Sequence, residues 1–457
     1  MAKNILIRAA DWLTGGNKFN QAFYQFLGGG FTNYDHNNRT YLDKGYNTNP
    51  DVYACISQMT VKTVSVPYTI KKIENKKAYY KLSQLELATK GNTTFLQKAQ
   101  IHSLGLKAYS DTEMDFPLLD PNPTQTWSDI WALYKTYMKI TGNFYLYMMS
   151  PKDGINKGQP VQVYALPAHL MQIVLKSGAS MLSTESPIDH YVLIEGNMSI
   201  KFDAEDIIHI KYSNPNFDLQ GSHLYGQSPL RAALRNINSQ NSGIDLNLKT
   251  LQNGGAFGFI HGKSGTPLTA EQAGSLKERL LEMDASSDRL SRIAGSSAEV
   301  GFTRISLTTD ELKPFDYLNF DRKVICNVLG WADELLNNDG KASLGNSDTK
   351  EARKQVVTDN ILPDLVLLQS SLNKEFIPRF KGYENTVIEW DVTELPEMQN
   401  DISDMVKWLN ESPITPNEMR TALKYETLTD DGMDVVWLTS GKQRIDDISD
   451  NVVNANL

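Results

Sequence analysis

The sequence predicts an α+β chain in which two long helices bracket a small insert. Three observations carry this reading. Residues 159–212 run PVQVYALP, LMQIVLK, DHYVLIEG, MSIKF and IIHIKY, short alternating stretches with turn-like spacers, the pattern of half-buried strands in a compact α+β layer. From Leu230, apolar residues fall at Leu230, Leu234, Ile237, Ile244, Leu248 and Leu251, in steps of four, three, seven, four and three, with Asn241 splitting the seven. Polar side chains fill almost every other position, so this helix carries a narrow seam that buries little within its own chain and wants neighbours along its length. A second helix, from about Pro314 to Trp331, sets Phe315, Leu318, Ile325 and Leu329 at steps of three, seven and four. Between the two lies an insert, roughly 257–307, with strands of its own and the helix TAEQAGSLKERLLEMD.

Taken in order, MAKNILIRAADWLTGG reads as a short amphipathic helix with no signal-peptide core. Gly28 to Phe31, GGGF, lacks the spacing of a dinucleotide loop and reads as a flexible N-terminal loop. Residues 51–64 put Val52, Cys55, Ile56 and Met59 on one helical face, and VPYTIKK after them is a strand. Residues 75–113 are polar and irregular, with a helix near KLSQLELATK. DPNPTQTW is a turn; WSDIWALYKTYMKITGNFYLYMM then gives an aromatic-rich helix, a Gly142-Asn143 turn and a strand. Residues 332–348, rich in Asn, Asp, Gly and Ser, form a long loop closed by a capping box at Asp348 and Glu351. The third long helix runs to about Phe376 and should kink at Pro363, which removes an N–H and crowds the preceding turn. In SPITPNEMR, Thr415 is the N-cap, Pro416 is N1 and Glu418 reaches back from N3; the last fifteen or so residues are polar and frayed.

The chain has 457 residues, enough for about three domains. No apolar run approaches the roughly 18 residues that span a bilayer. Cys55 and Cys326 are the only cysteines and read as buried thiols of a reducing compartment, not as a disulfide framework. The net charge of −9 weighs against a protein that grips nucleic acid, since phosphate neutralisation drives such binding, but it suits a surface past which DNA slides. The histidines are scattered, with no H-E-x-x-H and no G-x-S-x-G. His209, alternating in DIIHIKY, reads as a satisfied core or edge histidine. Gly262-Lys263-Ser264 ends like a phosphate-binding loop, but only three residues separate Gly258 from Gly262 where that loop needs four, and the flanks lack the strand-then-helix context. The residues therefore imply neither enzyme, cofactor nor metal.

NPDVYACISQMTVKTVSVPY, DPNPTQTWSDIW with ITGNFYLYMM, ALPAHLMQI, FDAEDIIHIKY, LYGQSPLRAAL, NGGAFGFI before TAEQAGSLKERL, NILPDLVLLQSSLNK and ITPNEMR, in this order and spacing, resemble the portal proteins of tailed bacteriophages over roughly residues 46–428. The resemblance implies a portal-type subunit: an N-terminal arm (1–45), an α/β wing (46–228, with 349–396 returning to it), a two-helix stem (229–256 and 308–331), a small α/β clip (257–307), a tunnel loop (332–348) and a helical crown with a C-terminal tail (397–457). It implies assembly into a ring, a dodecamer in this family, at one vertex of the capsid. Double-stranded DNA is packaged and ejected through that ring without sequence preference. The implied partners are the terminase large subunit, the major capsid protein and a head-tail connector or adaptor, with no membrane. The implied location is the virion, after assembly in the host cytoplasm. Family members commonly carry a Val-Pro-Pro-like turn after the second stem helix; here the segment is LGWADELL, without proline.

On this frame Asn337, Asn338, Asp339 and Lys341 line the DNA channel, with Lys350, Arg353 and Lys354 behind them, all touching phosphate only. Lys263, Lys277, Arg279, Arg289 and Arg292 make the clip locally basic and are the candidates for terminase or connector contact. A non-viral scaffold or adaptor oligomer held by the same seam, and a nucleotide hydrolase using Gly262-Lys263-Ser264, are the alternatives.

Overall fold

The computed structural model describes residues 30–31, 37–89, 95–177, 186–216, 221–252, 258–262, 300–304, 314–336, 347–392, 395–398, 415–422, 427–429, 433–435, 437–438 and 443–444, with isolated positions near 269–278. The chain divides into two units, Met1–Trp390 and Asp391–Leu457.

The first unit begins with β1 (Gly30–Phe31) and α1 (Asn37–Thr40), which runs into a π-helical turn, Tyr41–Asn47. Next come α2 (Pro50–Val64), β2 (Tyr68–Ile73), α3 (Lys76–Thr89), α4 (Phe95–Ala108) and β3 (Tyr109–Met114). The helix α5 (Trp127–Thr141) leads into β4 (Asn143–Met149), followed by β5 (Gln162–Leu166), β6 (Met171–Leu175), β7 (Ile188–Glu195), β8 (Met198–Asp203) and β9 (Ile207–Lys211). The long helix α6 (Leu230–Gln252) precedes the antiparallel pair β10 (Gly258–Gly262) and β11 (Val300–Arg304), and α7 (Pro314–Leu329) follows and packs on α6. Last come α8 (Ser347–Val356), a π-helical turn (Val357–Ile361), α9 (Leu362–Glu375) and β12 (Thr386–Trp390).

Helix starts follow local chemistry. Asn49 caps α2 by accepting from the backbone N–H of Asp51 and Val52, with Pro50 at the first helical position. Thr126 and Asp129 form a reciprocal capping box at α5. That helix stops at Gly142, whose φ of +74° is left-handed; a Cβ there would lie 2.4 Å from the Gln227 carbonyl oxygen. The apolar face expected on α2 is observed: Val52, Cys55, Ile56 and Met59 are all buried.

Besides the β10/β11 ribbon, the described residues of the unit form three antiparallel sheets, in strand orders β12-β2-β3, β5-β4-β9 and β1-β6-β7-β8. Tyr145, Leu166, Met171, Ile173, Tyr191, Ile207 and Tyr225 join the second and third in one apolar core. A second core gathers aromatics around α5: Trp127 stacks on Trp131 at 5.1 Å, Phe116 meets Trp127 edge-on at 4.6 Å, and Trp131 meets Trp390 at 5.6 Å.

Two differences from the sequence reading have physical causes. In the stretch read as irregular with a helix near KLSQLELATK, 75–113, that helix is observed as α3, while α4 and β3 were not read; α4 packs on α3 around Ala78, Leu82 and Ala108, but its apolar residues do not gather into one clear helical stripe. Gly30–Phe31, read as a loop, pairs with Leu175 and Val174, main-chain bonding that needs no side-chain signal. Gly258–Gly262 is a strand paired with Val300–Arg304, in keeping with the strands expected in the insert and with the rejection of a phosphate-binding loop there. Pro363 perturbs its helix as expected, through a π turn: the Leu362 N–H bonds the Val357 carbonyl, five residues back, one residue before the ring that cannot donate. The helix after the long loop already starts at Ser347, which puts Asp348 inside the first turn.

In the second unit, α10 (Pro416–Ala422) has the expected capping box: the Thr415 N–H donates to Glu418 and the Glu418 N–H to Thr415 Oγ1. Asn417 holds the following loop, accepting from the Leu428 N–H and donating to Asp434. A short ribbon, β13 (Trp437–Leu438) with β14 (Gln443–Arg444), reaches into the tail read as frayed.

Candidate functional site

The candidate site is the α6/α7 pair and the joints that fix it to the rest of the first unit. The start of α6 is held by a knot of small polar groups. Ser228 donates to the Ile140 carbonyl and accepts from the Leu230 N–H, tying the first turn of α6 to the end of α5. Asn143 accepts from the Gly226 N–H at 2.6 Å and pairs at 3.0 Å with His209 Nε2. His209 is thus the satisfied core histidine read from the sequence. Its ring stacks on Tyr145, and burial followed by the nearby Lys211 lowers its pKa to about 3, so it stays neutral.

Further along α6, a polar network fixes register. Asn49 donates to Gln240 at 2.7 Å and to Asn241 at 2.9 Å; Gln240 also donates to Asp51, and Asn241 to the Lys44 carbonyl. Asn236 donates to Asp321 on α7 at 2.7 Å. Arg322 on α7 sits 3.2 Å from Asp333 and 3.9 Å from Asp51. Around these groups Leu230, Ile237, Ile325 and Leu329 are buried. Beyond Asn241 the character changes. Ile244 is 38% exposed, Leu248 53%, Tyr317 67% and Phe320 62%. Among the described seam positions, Leu230, Ile237, Ile325 and Leu329 are buried and Leu234 and Leu318 half-buried, whereas Ile244 and Leu248 are exposed.

The second joint is a buried charge cluster. Lys135 on α5, fully buried, donates to Asp364 and, at 2.9 Å, to Asn360 Oδ1. Lys139 approaches the same carboxylate at 3.2 Å, and Tyr212 donates to it at 2.8 Å. Tyr134 donates to the Asp364 carbonyl, and Asn360 donates to the carbonyls of Leu329 and Gly330 at the end of α7. Gly330 has φ +73°, and a Cβ there would lie 2.5 Å from Asn360 Nδ2, so this exit needs glycine. The turn after α7, which lacks the expected proline, is thus set by a left-handed glycine clamped by Asn360. Two cations share one anion here. Burial, then the neighbouring Lys139, pulls Lys135 down to about 7 against the attraction of Asp364. Burial would raise Asp364, but Lys135 and Lys139 outweigh it and hold the carboxyl below its usual range.

Of the residues expected to face DNA, Lys350, Arg353 and Lys354 lie together on α8, with Lys350 exposed and the other two half-buried. Asn337, Asn338, Asp339 and Lys341 lie outside the described residues, as do Lys263, Lys277, Arg279, Arg289 and Arg292. Sequence reasoning missed the Lys135–Asp364 cluster; its one visible signal was a pair of lysines a helical turn apart inside an aromatic-rich helix. Among the described residues no group of three or more His, Cys, Asp or Glu could hold a metal ion, and no helix is long and apolar enough to cross a membrane.

A family model described as phage portal protein matches residues 96–423, well over half of the chain. The chain belongs to the phage portal protein family. Solved structures agree at the level of fold. The chain is similar to one in the virion of a native gene transfer agent particle, with 17% identity over 87% of this chain and 95% of that one and a TM-score of 0.56. It is also similar to chains in the neck of an empty gene transfer agent particle computed with C6 symmetry (17% identity, 86% and 95% covered, TM-score 0.55) and in the neck of a native one computed with C12 symmetry (17%, 85% and 93%, 0.53). No curated protein sequence matches it. The portal subunit described here is accordingly a structural, ring-forming protein of the capsid vertex, of α+β class.

Proposed function

We propose that this portal subunit closes with copies of itself into a ring of twelve, through which double-stranded DNA enters and leaves the capsid. The observation that carries the reading is the seam. Ile244 and Leu248 of the α6 seam are exposed, as are Tyr317 and Phe320 beside the seam on α7, while Leu230, Ile237, Ile325 and Leu329 of the same packed pair are buried. Exposed apolar side chains grouped along a rod mark a contact surface, and a repeated heterologous contact generates a ring when its rotation closes. On this reading α6 and α7 are the stem, the β10/β11 ribbon belongs to the clip, residues 332–348 are the tunnel loop, the α/β part with 349–396 is the wing and residues 397–457 are the crown. Lys341, with Asn337, Asn338 and Asp339, meets phosphate transiently, and Lys350, Arg353 and Lys354 stand behind. Lys263, Lys277, Arg279, Arg289 and Arg292 contact the terminase large subunit during packaging and a head-tail connector afterwards, while the wing meets the major capsid protein. The subunit performs no catalysis: the ATPase that drives DNA is a separate protein. Assembly takes place in the host cytoplasm. The net charge of −9 suits a duct that must not hold DNA tightly.

The test is negative-stain imaging of the purified chain along its assembly axis. Closed rings with a central opening are expected. Monomers or open filaments would overturn the ring and favour a scaffold or adaptor held by the same seam.

A further inference from the structure

Cys55 lies on α2 and Cys326 on α7, 271 residues apart in sequence, yet their sulfurs are 3.6 Å apart and both residues are buried. They are the only cysteines of the chain, so neither has another partner within it. One helical turn before each stands a charged residue, Asp51 before Cys55 and Arg322 before Cys326, and these two also face each other, at 3.9 Å. The helices therefore meet in register over two successive turns, an ionic contact and then a thiol contact. Sulfur atoms in a disulfide are about 2.05 Å apart. Closing the gap here asks for roughly 1.5 Å, a modest rotation of two side chains that already point at each other.

We propose that Cys55 and Cys326 are an intramolecular oxidation site, a latent disulfide that staples α2 to α7. The contact with Cys326 and then burial push the Cys55 thiol well above its ordinary value. Thiolate is thus scarce and oxidant is excluded while the helices stay packed. Oxidation follows transient separation of α2 from α7, which bares both thiols together. One thiolate attacks hydrogen peroxide, breaking its O–O bond, and becomes a sulfenic acid; the hydroxide that leaves takes up the proton the thiol gave up and departs as water. The second thiol attacks that sulfur, the S–S bond forms and a second water leaves. Two thiols are oxidised by two electrons and one peroxide is reduced to two waters. The pair stays reduced in a reducing compartment and closes in an oxidising one. Its use as a lock on the stem of a particle outside the cell rests on the portal reading; the chemistry at the pair does not.

The experiment oxidises the purified, assembled protein with hydrogen peroxide at neutral pH, quenches with N-ethylmaleimide, and maps peptides by mass spectrometry without reductant. A Cys55–Cys326 peptide two hydrogens lighter than its reduced parts is expected, in a chain that runs as a monomer on a denaturing gel. It should form faster in dilute urea and reverse with dithiothreitol. The oxidised protein should melt higher by roughly 3 °C or more, because the closed loop is long. Cys55→Ser and Cys326→Ser should lose that rise; if either fails to fold, the wild-type peptide map still decides. Two fully alkylated thiols even in dilute urea, sulfinic or sulfonic acids without a cross-link, disulfide-linked dimers, or a cross-link that leaves the melting temperature unchanged would each overturn the proposal.

Discussion

Removing the carboxylate of Asp364 is the most informative single perturbation of this protein. In Asp364→Ala, Lys135 and Lys139 lose their common anion, and Tyr212 loses its acceptor. Breaking a buried ion pair by deleting one partner costs about 3–5 kcal/mol, because the other charge stays behind in low dielectric. Here the low end applies, since Lys135 is already drawn down to about 7 and sheds its proton readily. We expect a loss of about 3 kcal/mol at pH 8, growing as pH falls. Lys135→Met separates packing from charge. It keeps the volume and leaves Asp364 paired with Lys139, so at pH 9 it should match the wild type within about 1 kcal/mol. The sign of the pH effect follows from proton counts. Between pH 7 and the ordinary lysine range the unfolded chain binds a proton at residue 135 that the folded chain does not, so wild-type stability rises with pH there. With a folded value of about 7, that gain is roughly 3 kcal/mol from pH 6 to pH 9. Lys135→Met lacks it, so relative to the wild type the variant should gain that amount as pH is lowered from 9 to 6. Urea unfolding followed by tryptophan fluorescence reads this directly, since Trp127 and Trp131 share α5 with Lys135. Parallel curves for the two proteins across this range would refute the shared-anion account, as would an Asp364→Ala variant within 1 kcal/mol of wild type.

Other expectations follow from single contacts. Gly142→Ala meets both a left-handed φ and a carbonyl 2.4 Å away, so it should lower the melting temperature by several degrees, from a cost above about 1 kcal/mol. Asn360→Ala frees the carbonyls of Leu329 and Gly330 and a contact of Lys135; a loss of about 2 kcal/mol in urea unfolding is expected. Ile244→Glu with Leu248→Glu alters only exposed positions, so circular dichroism should match wild type while light scattering shows rings replaced by monomers. Replacing residues 337–346 by a short Gly linker should change the length of DNA packaged; an unchanged length would remove that loop from the proposed channel.

How much of this was legible depended on how far apart the interacting residues lie in sequence. Elements whose cause is local could be read: the apolar face of α2, the aromatic-rich helix α5 ending at Gly142, the Thr-Pro-x-Glu box of α10, and the alternating strands of residues 159–212. Non-local causes left little trace. Asp364 and Lys135 are 229 residues apart, and only folding shows that PDLVLL carries the anion for a lysine in WALYKTYMK. Cys55 and Cys326 looked unrelated for the same reason. Of the helices α3 and α4, only α3 was read, because the apolar residues of α4 are not gathered into one stripe strong enough to stamp a period on the sequence.

The narrow seam on α6 could be read because its spacing is periodic, but its division into two halves could not. The first half is bound by directional contacts: Ser228, Asn236, Gln240 and Asn241 each hydrogen-bond a named group on α5, α7, α2 or the turn before it. Such bonds add little net stability each, roughly 1 kcal/mol, but they tolerate one register and one direction. The second half offers apolar area without direction, which supplies adhesion but no angle. A ring needs both, because its subunits must bind their neighbours and must do so at one fixed rotation. On the proposed reading, polar joints at the base of α6 and α7 set the angle at which the helices leave the α/β part, and the exposed apolar end supplies the attraction between copies. Substitutions at the two ends should therefore fail differently. Changes at Ile244 or Leu248 should give folded subunits that do not assemble, whereas changes at Asn49 or Gln240 should give assemblies with irregular subunit number, and images of the two sets would tell adhesion from angle.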